Sequence, residues 1–290
     1  IGNLRVTRQL GQGGMGTVYE AVNARINARV AVKVLDSKLC TNADLVRRFL
    51  NEALAANRVP HPAMVRVHEY GQLPDGAWYL TMELLEGQTL GQRSRQGTLS
   101  AALLLRLGAQ VAAALTVVHQ HGIVHRDLKP ENLMIIADPL VPGGERIKIM
   151  DFGVARLCAQ ADADGATQLR TQALALIGTP RYMAPEQCQG AADITGAVDV
   201  YALGVLLYEL LCGEPPFPGD NHVALFMAHL QQEPPPLQEK NPLLAPELVT
   251  LVHAMLAKPA EARPTMAAVS EVLDRLGSAR VATPQPRLQS

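Results

Sequence analysis

Two kinds of hydrophobic periodicity divide this chain. Up to about residue 84, apolar positions alternate or form short β-branched runs; beyond residue 100 they recur at helical spacing. Residues 4–35 read as strands. In 29–35, Val30, Val32 and Val34 alternate on one face and leave Ala31, Lys33 and Leu35 on the other. An ammonium among small and apolar side chains calls for a partner. Thr41-Asn42-Ala43-Asp44 has the form of a capping box, and Leu45, Phe49, Glu52 and Ala56 then share a helical face. Glu52 breaks that apolar stripe: it lies either at the solvent edge or opposite Lys33. Strands follow at 65–70 and 78–84 around the turn Pro74-Asp75-Gly76, with 83–87 as a short link. Ser100 caps a helix to about 119, with Leu103, Leu104, Leu107, Val111 and Leu115 as its apolar face. Residues 133–136 and 146–150 read as a strand pair around a long 137–145 loop. Residues 198–211 are apolar nearly all round, the mark of a buried helix. Asp199 at its start is suited to accept backbone N–H groups from a neighbouring loop. Further helices are expected at about 223–231, 246–256 and 265–276, and a flexible linker over 278–290.

Composition narrows the class. The 290 residues are 48% hydrophobic and 18% charged with net charge −1, which fits a globular core and offers no basic field for nucleic acid. The four cysteines (Cys40, Cys158, Cys188, Cys212) form no CxxC, as expected of reduced thiols in the cytoplasm. The most apolar stretch, 103–118, is interrupted by Arg106 and Gln110 and is short for a membrane span, so no membrane partner is expected within this segment. The chain begins without Met and reads as a fragment; tethering to a membrane by regions outside it stays open. His119, His121 and His125 do not share a helical face, which argues against a metal site.

Chemistry concentrates in a few motifs. His125-Arg126-Asp127-Leu128-Lys129-Pro130-Glu131-Asn132 puts a carboxylate, an ammonium and an amide in one short loop. Asp127 can orient a hydroxyl and take its proton, Lys129 can balance phosphate charge, and Asn132 can offer oxygen to a hard cation. Gly11-Gln12-Gly13-Gly14-Met15-Gly16 fits G-x-G-x-x-G. A dinucleotide site would need a helix straight after the glycines; Thr17, Val18 and Tyr19 favour a hairpin over phosphates instead. Asp151-Phe152-Gly153 supplies a second cation ligand. Residues 154–177 form a long loop of small and polar residues, closed by Gly178-Thr179-Pro180 and Ala184-Pro185-Glu186.

Together these motifs resemble the protein kinase family, over about residues 4–276. Lys129 and Gly178-Thr179-Pro180 look like the serine/threonine branch, and the Gly-Gly-Met-Gly loop like the eukaryotic-type (Hanks-type) kinases of bacteria. The resemblance implies an α+β, bilobal fold over 1–277. Its antiparallel β-rich N-lobe, with one main helix, would cover about 1–86, and a larger α-helical C-lobe 87–277.

The implied activity is transfer of the γ-phosphoryl of ATP, with Mg²⁺ or Mn²⁺, to serine and threonine hydroxyls of proteins. Gly11, Gly13, Gly14 and Gly16 would cover the phosphates, and Lys33, positioned by Glu52, would hold them. Val18, Ala31 and Met134 would sandwich adenine. Glu83 C=O and Leu85 N–H would bond it, behind a gatekeeper at Met82. Asn132 and Asp151 would hold the metal. Phosphorylation of Thr171, then Thr167, would dock the loop on Arg126, Arg156 and Arg48; a dimer would serve trans-autophosphorylation. Thr179, Asp199 and the pair Glu186–Arg263 would have structural roles. Two departures stand out: the long 137–145 loop, read as a surface elaboration, and Tyr201 and Ala202 where Trp and Ser are frequent. An ATP-binding scaffold without transfer would lack Lys33, Asp127, Asn132 or Asp151. A small-molecule phosphotransferase would lack the 178–186 segment.

Overall fold

The structure is a computed structural model. It describes residues 1–13, 15–97, 99–151 and 180–281, leaving aside the side chains at 44, 48, 52, 53, 56 and 279–281. Strands β1 (Leu4–Gly13), β2 (Gly16–Asn23), β3 (Ala28–Leu35), β4 (Val67–Gln72) and β5 (Trp78–Glu83) form an antiparallel sheet in the order β1-β2-β3-β5-β4. The valine alternation in β3 sorts its two faces. Val32 packs with Leu4 and Ala21 on one side. Leu35 packs with Leu80 and Phe49 on the other. Phe49, fully buried, comes from α1 (Ala43–Arg58), so this helix covers the Lys33 face of the sheet. The cap of α1 is Asn42, not Thr41: Asn42 Oδ1 accepts Leu45 N–H at 3.2 Å, while the Thr41 hydroxyl donates back to Lys38 O. Asn is the stronger cap, and Thr41 is already engaged.

Past the hinge, β6 (Gly87–Thr89), β7 (Leu133–Ala137) and β8 (Glu145–Ile149) form a second antiparallel sheet. The sequence gives little sign of β6, whose three residues are too few for a period, or of the short helix α2 (Leu90–Arg95) that follows. Helix α3 (Ala101–Gln120) is capped by the Ser100 hydroxyl, which accepts Leu103 N–H. It is long and apolar enough to cross a membrane by length and composition. Leu104, Leu107, Val111 and Leu115 are instead buried in the core of the helical lobe.

Then come α4 (Pro185–Cys188), α5 (Ala197–Cys212), α6 (His222–Gln231), α7 (Leu237–Lys240), α8 (Pro246–Met255) and α9 (Met266–Val281). Helix α5 is buried along most of its length and packs against α3, α8 and α9. Helix α9 continues past residue 277 to Val281, into the stretch expected to be linker; 282–290 lie outside the described residues. The 137–145 loop is held at its base, where Asp138 accepts Leu140 N–H and pairs with Arg146, while Leu140 is 89% exposed.

Candidate active site

A cavity of about 280 Å³ opens between the two sheets. Val18, Ala31 and Met82 from the first sheet and Met134 from the second give it apolar walls, and Gly11, Lys33, Glu83, Leu85 and Asp151 also line it, whereas Gly13, Gly16 and Asn132 are not among its lining residues. Gly16 must be glycine because a Cβ there would lie 2.0 Å from Val34 O. At Gly11 and Gly13 a Cβ would meet nothing within 4 Å. No protein atom demands glycine at those two positions, and bare backbone facing open space is what phosphate needs. Gly14 lies outside the described residues.

Lys33 is 8% exposed and donates to Asp151 Oδ1 at 2.7 Å. The pair joins the first sheet to the segment after β8. The Glu52 side chain, the other expected partner, is outside the described residues. So are the Arg48 side chain and all of Arg156, Thr167, Thr171, Thr179 and the remainder of the Asp-Phe-Gly motif.

The 125–132 loop, the candidate catalytic loop, is anchored from below. Asp199, fully buried at the start of α5, accepts His125 N–H at 2.9 Å and Arg126 N–H at 2.8 Å, and its Oδ2 lies 2.8 Å from His119 Nε2. Burial alone would raise this carboxyl. The His119 hydrogen bond, with the charge and N–H of His125, outweighs it and holds the group below the usual carboxylate range. Asp127 N–H approaches His125 Nδ1 at 3.4 Å, and Nε2 of the same ring lies 3.2 Å from Met150 O. Arg126 and Asp151 both have positive φ, +67° and +52°, so the two ends of the site sit on left-handed backbone that their surroundings must enforce. Of the three histidines in 119–125, two therefore serve the loop, and His121 closes the end of α3 on Val117 O.

Within the loop, Asp127 Oδ2 receives Lys129 Nζ at 2.9 Å and Asn132 Nδ2 at 3.2 Å. Asn132 Nδ2 also donates to Asp127 O, and Asn132 O accepts Met150 N–H at 2.8 Å. That last bond brings Asn132 beside the residue preceding Asp151. Asn132 is thus tied to the strand end that leads into Asp151. Among the described residues no group of three His, Cys, Asp or Glu could hold a metal. A carboxylate and an amide, completed by water and phosphate oxygen, is the donor set magnesium takes, so these residues fit the ion. On its other side the loop lines a wider groove of about 980 Å³. Lys129 and Glu131 meet Arg181, Tyr182, Glu209 and Asp220 there.

The segment bordering that groove is pinned by Arg263. Its guanidinium donates to both Glu186 oxygens, at 2.7 and 2.8 Å, and to the carbonyls of Ala197, Ala257 and Lys258. All five donors of the fork are used, which a fully buried guanidinium requires.

Four contacts escape sequence reasoning. The Glu83 side chain accepts Lys148 Nζ at 2.7 Å and Arg66 N–H at 2.8 Å. Lys148, 8% exposed between Ile147 and Ile149, carries the same misplacement signal as Lys33. Gln187 Nε2 donates to Arg126 O, tying α4 to the catalytic loop. Tyr182 donates to Glu209 at 2.5 Å.

The sequence pattern of the protein kinase domain matches residues 4–273. The chain is 38% identical over 266 residues to the serine/threonine-protein kinase pkn3 of Myxococcus xanthus, covering 91% of this chain and 48% of that protein. It is 39% identical over 262 residues to the serine/threonine-protein kinase PknA of Mycobacterium tuberculosis, covering 89% and 57%. Among solved structures it is similar to the PknI kinase domain of M. tuberculosis, with a TM-score of 0.70 and 28% identity over 94% of this chain and 96% of that one. The chain spans about half the length of these curated relatives and nearly all of the solved kinase domain. With the hairpin, the anchored loop and the bilobal architecture in place, this match means that the chain belongs to the protein kinase family.

Proposed function

We propose that this domain transfers the γ-phosphoryl group of Mg-ATP to serine and threonine hydroxyls of proteins. The observation that carries this reading is the position of the catalytic loop. It lies between a cavity lined by Lys33 and Asp151 and a groove lined by Lys129, with Asn132 bonded to the strand end that presents Asp151. In this reading the apolar walls take adenine, with Glu83 C=O and Leu85 N–H as its hydrogen-bonding edge behind Met82. The amides of the Gly11–Gly16 hairpin and Lys33, oriented by Glu52, hold the phosphates. Asn132 and Asp151 hold the metal, which when bound supplies neutralising charge to the phosphates; Mn²⁺ suits the same hard donors. Asp127 orients the acceptor hydroxyl and takes its proton, and Lys129 balances the charge on the group in transit. Catalysis of this kind is mostly positioning and electrostatics.

Regulation follows the same chemistry. A phosphate on Thr171, or next on Thr167, brings a dianion that Arg126, Arg156 and Arg48 can bind together, and a dimer phosphorylating itself in trans would supply it. The test is incubation with γ-labelled ATP and Mg²⁺, followed by mapping of the labelled residues. The expected label is on serine and threonine, including Thr171, and the double variant Thr171→Ala/Thr167→Ala has lower specific activity than the phosphorylated wild type. Labelled ATP left intact, or a double variant as active as phosphorylated wild type, would contradict the transfer and the switch respectively.

A further inference from the structure

One buried polar pair lies apart from the residues assigned above. Tyr201, in α5, is fully buried, and its hydroxyl lies 2.9 Å from Nδ1 of His229 on α6, which is fully buried too. Burial pushes the tyrosine hydroxyl up and the imidazole down to about 4, so both are neutral at pH 7. A neutral imidazole that accepts at Nδ1 carries its proton on Nε2. No partner meets the hydrogen-bond criteria for that nitrogen among the described residues. Helix α6, which carries this ring, packs on the turn Pro180–Tyr182.

The surroundings make this pair a junction. The Arg263 guanidinium lies 4.9 Å from the Tyr201 ring centroid, so the group that pins Glu186 also rests on this tyrosine. Phe217 meets His229 edge-on at 5.1 Å, and the Lys258 ammonium sits 4.5 Å from the Phe217 ring. Helix α6 packs on both α4 and the 180–182 turn, and Arg181 and Tyr182 line the groove beside Lys129. Apolar packing alone lets two helices slide by small amounts, whereas a buried, directional hydrogen bond fixes one register.

We propose that Tyr201 and His229 are positioning residues for the protein acceptor: their hydrogen bond fixes α6 on α5, both of which pack on the 180–182 turn, and so sets the wall of the groove on which the acceptor lies. This rests on the kinase reading above. Tyr201→Phe deletes the bond and keeps the ring under Arg263. His229→Leu deletes the acceptor, and His229→Asn offers an amide oxygen close to the place of Nδ1. The acceptor is the best peptide from a degenerate serine/threonine library. Tyr201→Phe and His229→Leu raise its KM roughly three- to tenfold and leave kcat and the KM for ATP within about twofold, the scale of one neutral buried bond. His229→Asn recovers part of the loss. Hydrogen exchange of the amides at 181–189 quickens in Tyr201→Phe, while those of β3 keep their rates.

Tyr201→Phe decides the matter alone if His229→Leu does not fold. An unmoved peptide KM, an equal loss in kcat and ATP affinity, or unchanged exchange at 181–189 overturns the positioning role. A wild-type domain that phosphorylates no acceptor overturns the kinase reading, and the positioning role with it.

Discussion

Asp127 and Asp151 serve one site, yet the chain holds them in opposite ways. Asp127 is 18% exposed and takes Lys129 and Asn132 on one oxygen; its loop hangs from the buried Asp199 by two backbone amides. Asp151 is 51% exposed, follows strand β8 with a left-handed backbone, and meets Lys33 from the other lobe. The first arrangement is built into the helical core. The second spans two lobes through a half-solvated ion pair, the kind whose net worth is small and whose partners can be exchanged for a ligand. In the proposed function the hydroxyl-handling end is therefore set before anything binds, and the phosphate-handling end is completed by what binds.

Breaking the preset end has the largest consequence. Asp127→Asn is expected to lower phosphoryl transfer by about 10²–10⁴-fold, the contribution of a positioned base, with the melting temperature scarcely changed. Rapid-quench transfer assays measure it. Next in size is Arg263→Met, which leaves Glu186 buried without its cation and three carbonyls without donors. A loss of about 3–5 kcal/mol in a denaturant titration is expected for breaking such a pair.

Asp199 sharpens the comparison through pH. Its folded pKa is depressed, so its contribution is fully present above the unfolded value of about 4 and is lost as pH falls through the lower, folded value. Asp199→Asn should cost roughly 1.5–3 kcal/mol at pH 7, the worth of a charged hydrogen bond. Its stability should also fall less steeply than wild type below about pH 4. Equal acid limbs in the two proteins would mean that Asp199 does not carry this linkage. The smallest effect belongs to the pair whose carboxylate is half exposed. Lys33→Met should change stability by less than about 1 kcal/mol, because a half-solvated carboxylate loses little when its partner goes.

The same contrast governs what the sequence reveals. Local patterns were enough for the valine alternation of β3, for Ser100 as the cap of α3 and for the buried α5 with Asp199 at its start. In each the deciding interaction lies within a few residues, or a charge stands among apolar neighbours. The pairing of Glu186 with Arg263 could be suggested from family likeness but not from spacing, since 77 positions separate them. Lys148 carried a readable signal, an ammonium between Ile147 and Ile149, but its partner Glu83 lies 65 positions away and was read only for its backbone carbonyl in the 83–87 link. The Tyr201–His229 bond was visible only as an unusual tyrosine, because a buried neutral pair leaves no charge pattern. Strand β6 was lost for a different reason: its stability comes from β7, to which Gly87, Gln88 and Thr89 are paired.

The most direct test of the division between the two ends is nucleotide affinity, measured by calorimetry with Mg²⁺ on wild type, Asp127→Asn and Lys33→Met side by side. Asp127→Asn should bind nucleotide as wild type does, because its carboxylate belongs to the acceptor end. Lys33→Met should bind more weakly, because its ammonium belongs to the phosphate end. Equal weakening in both variants, or an unaltered affinity in Lys33→Met, would contradict the account.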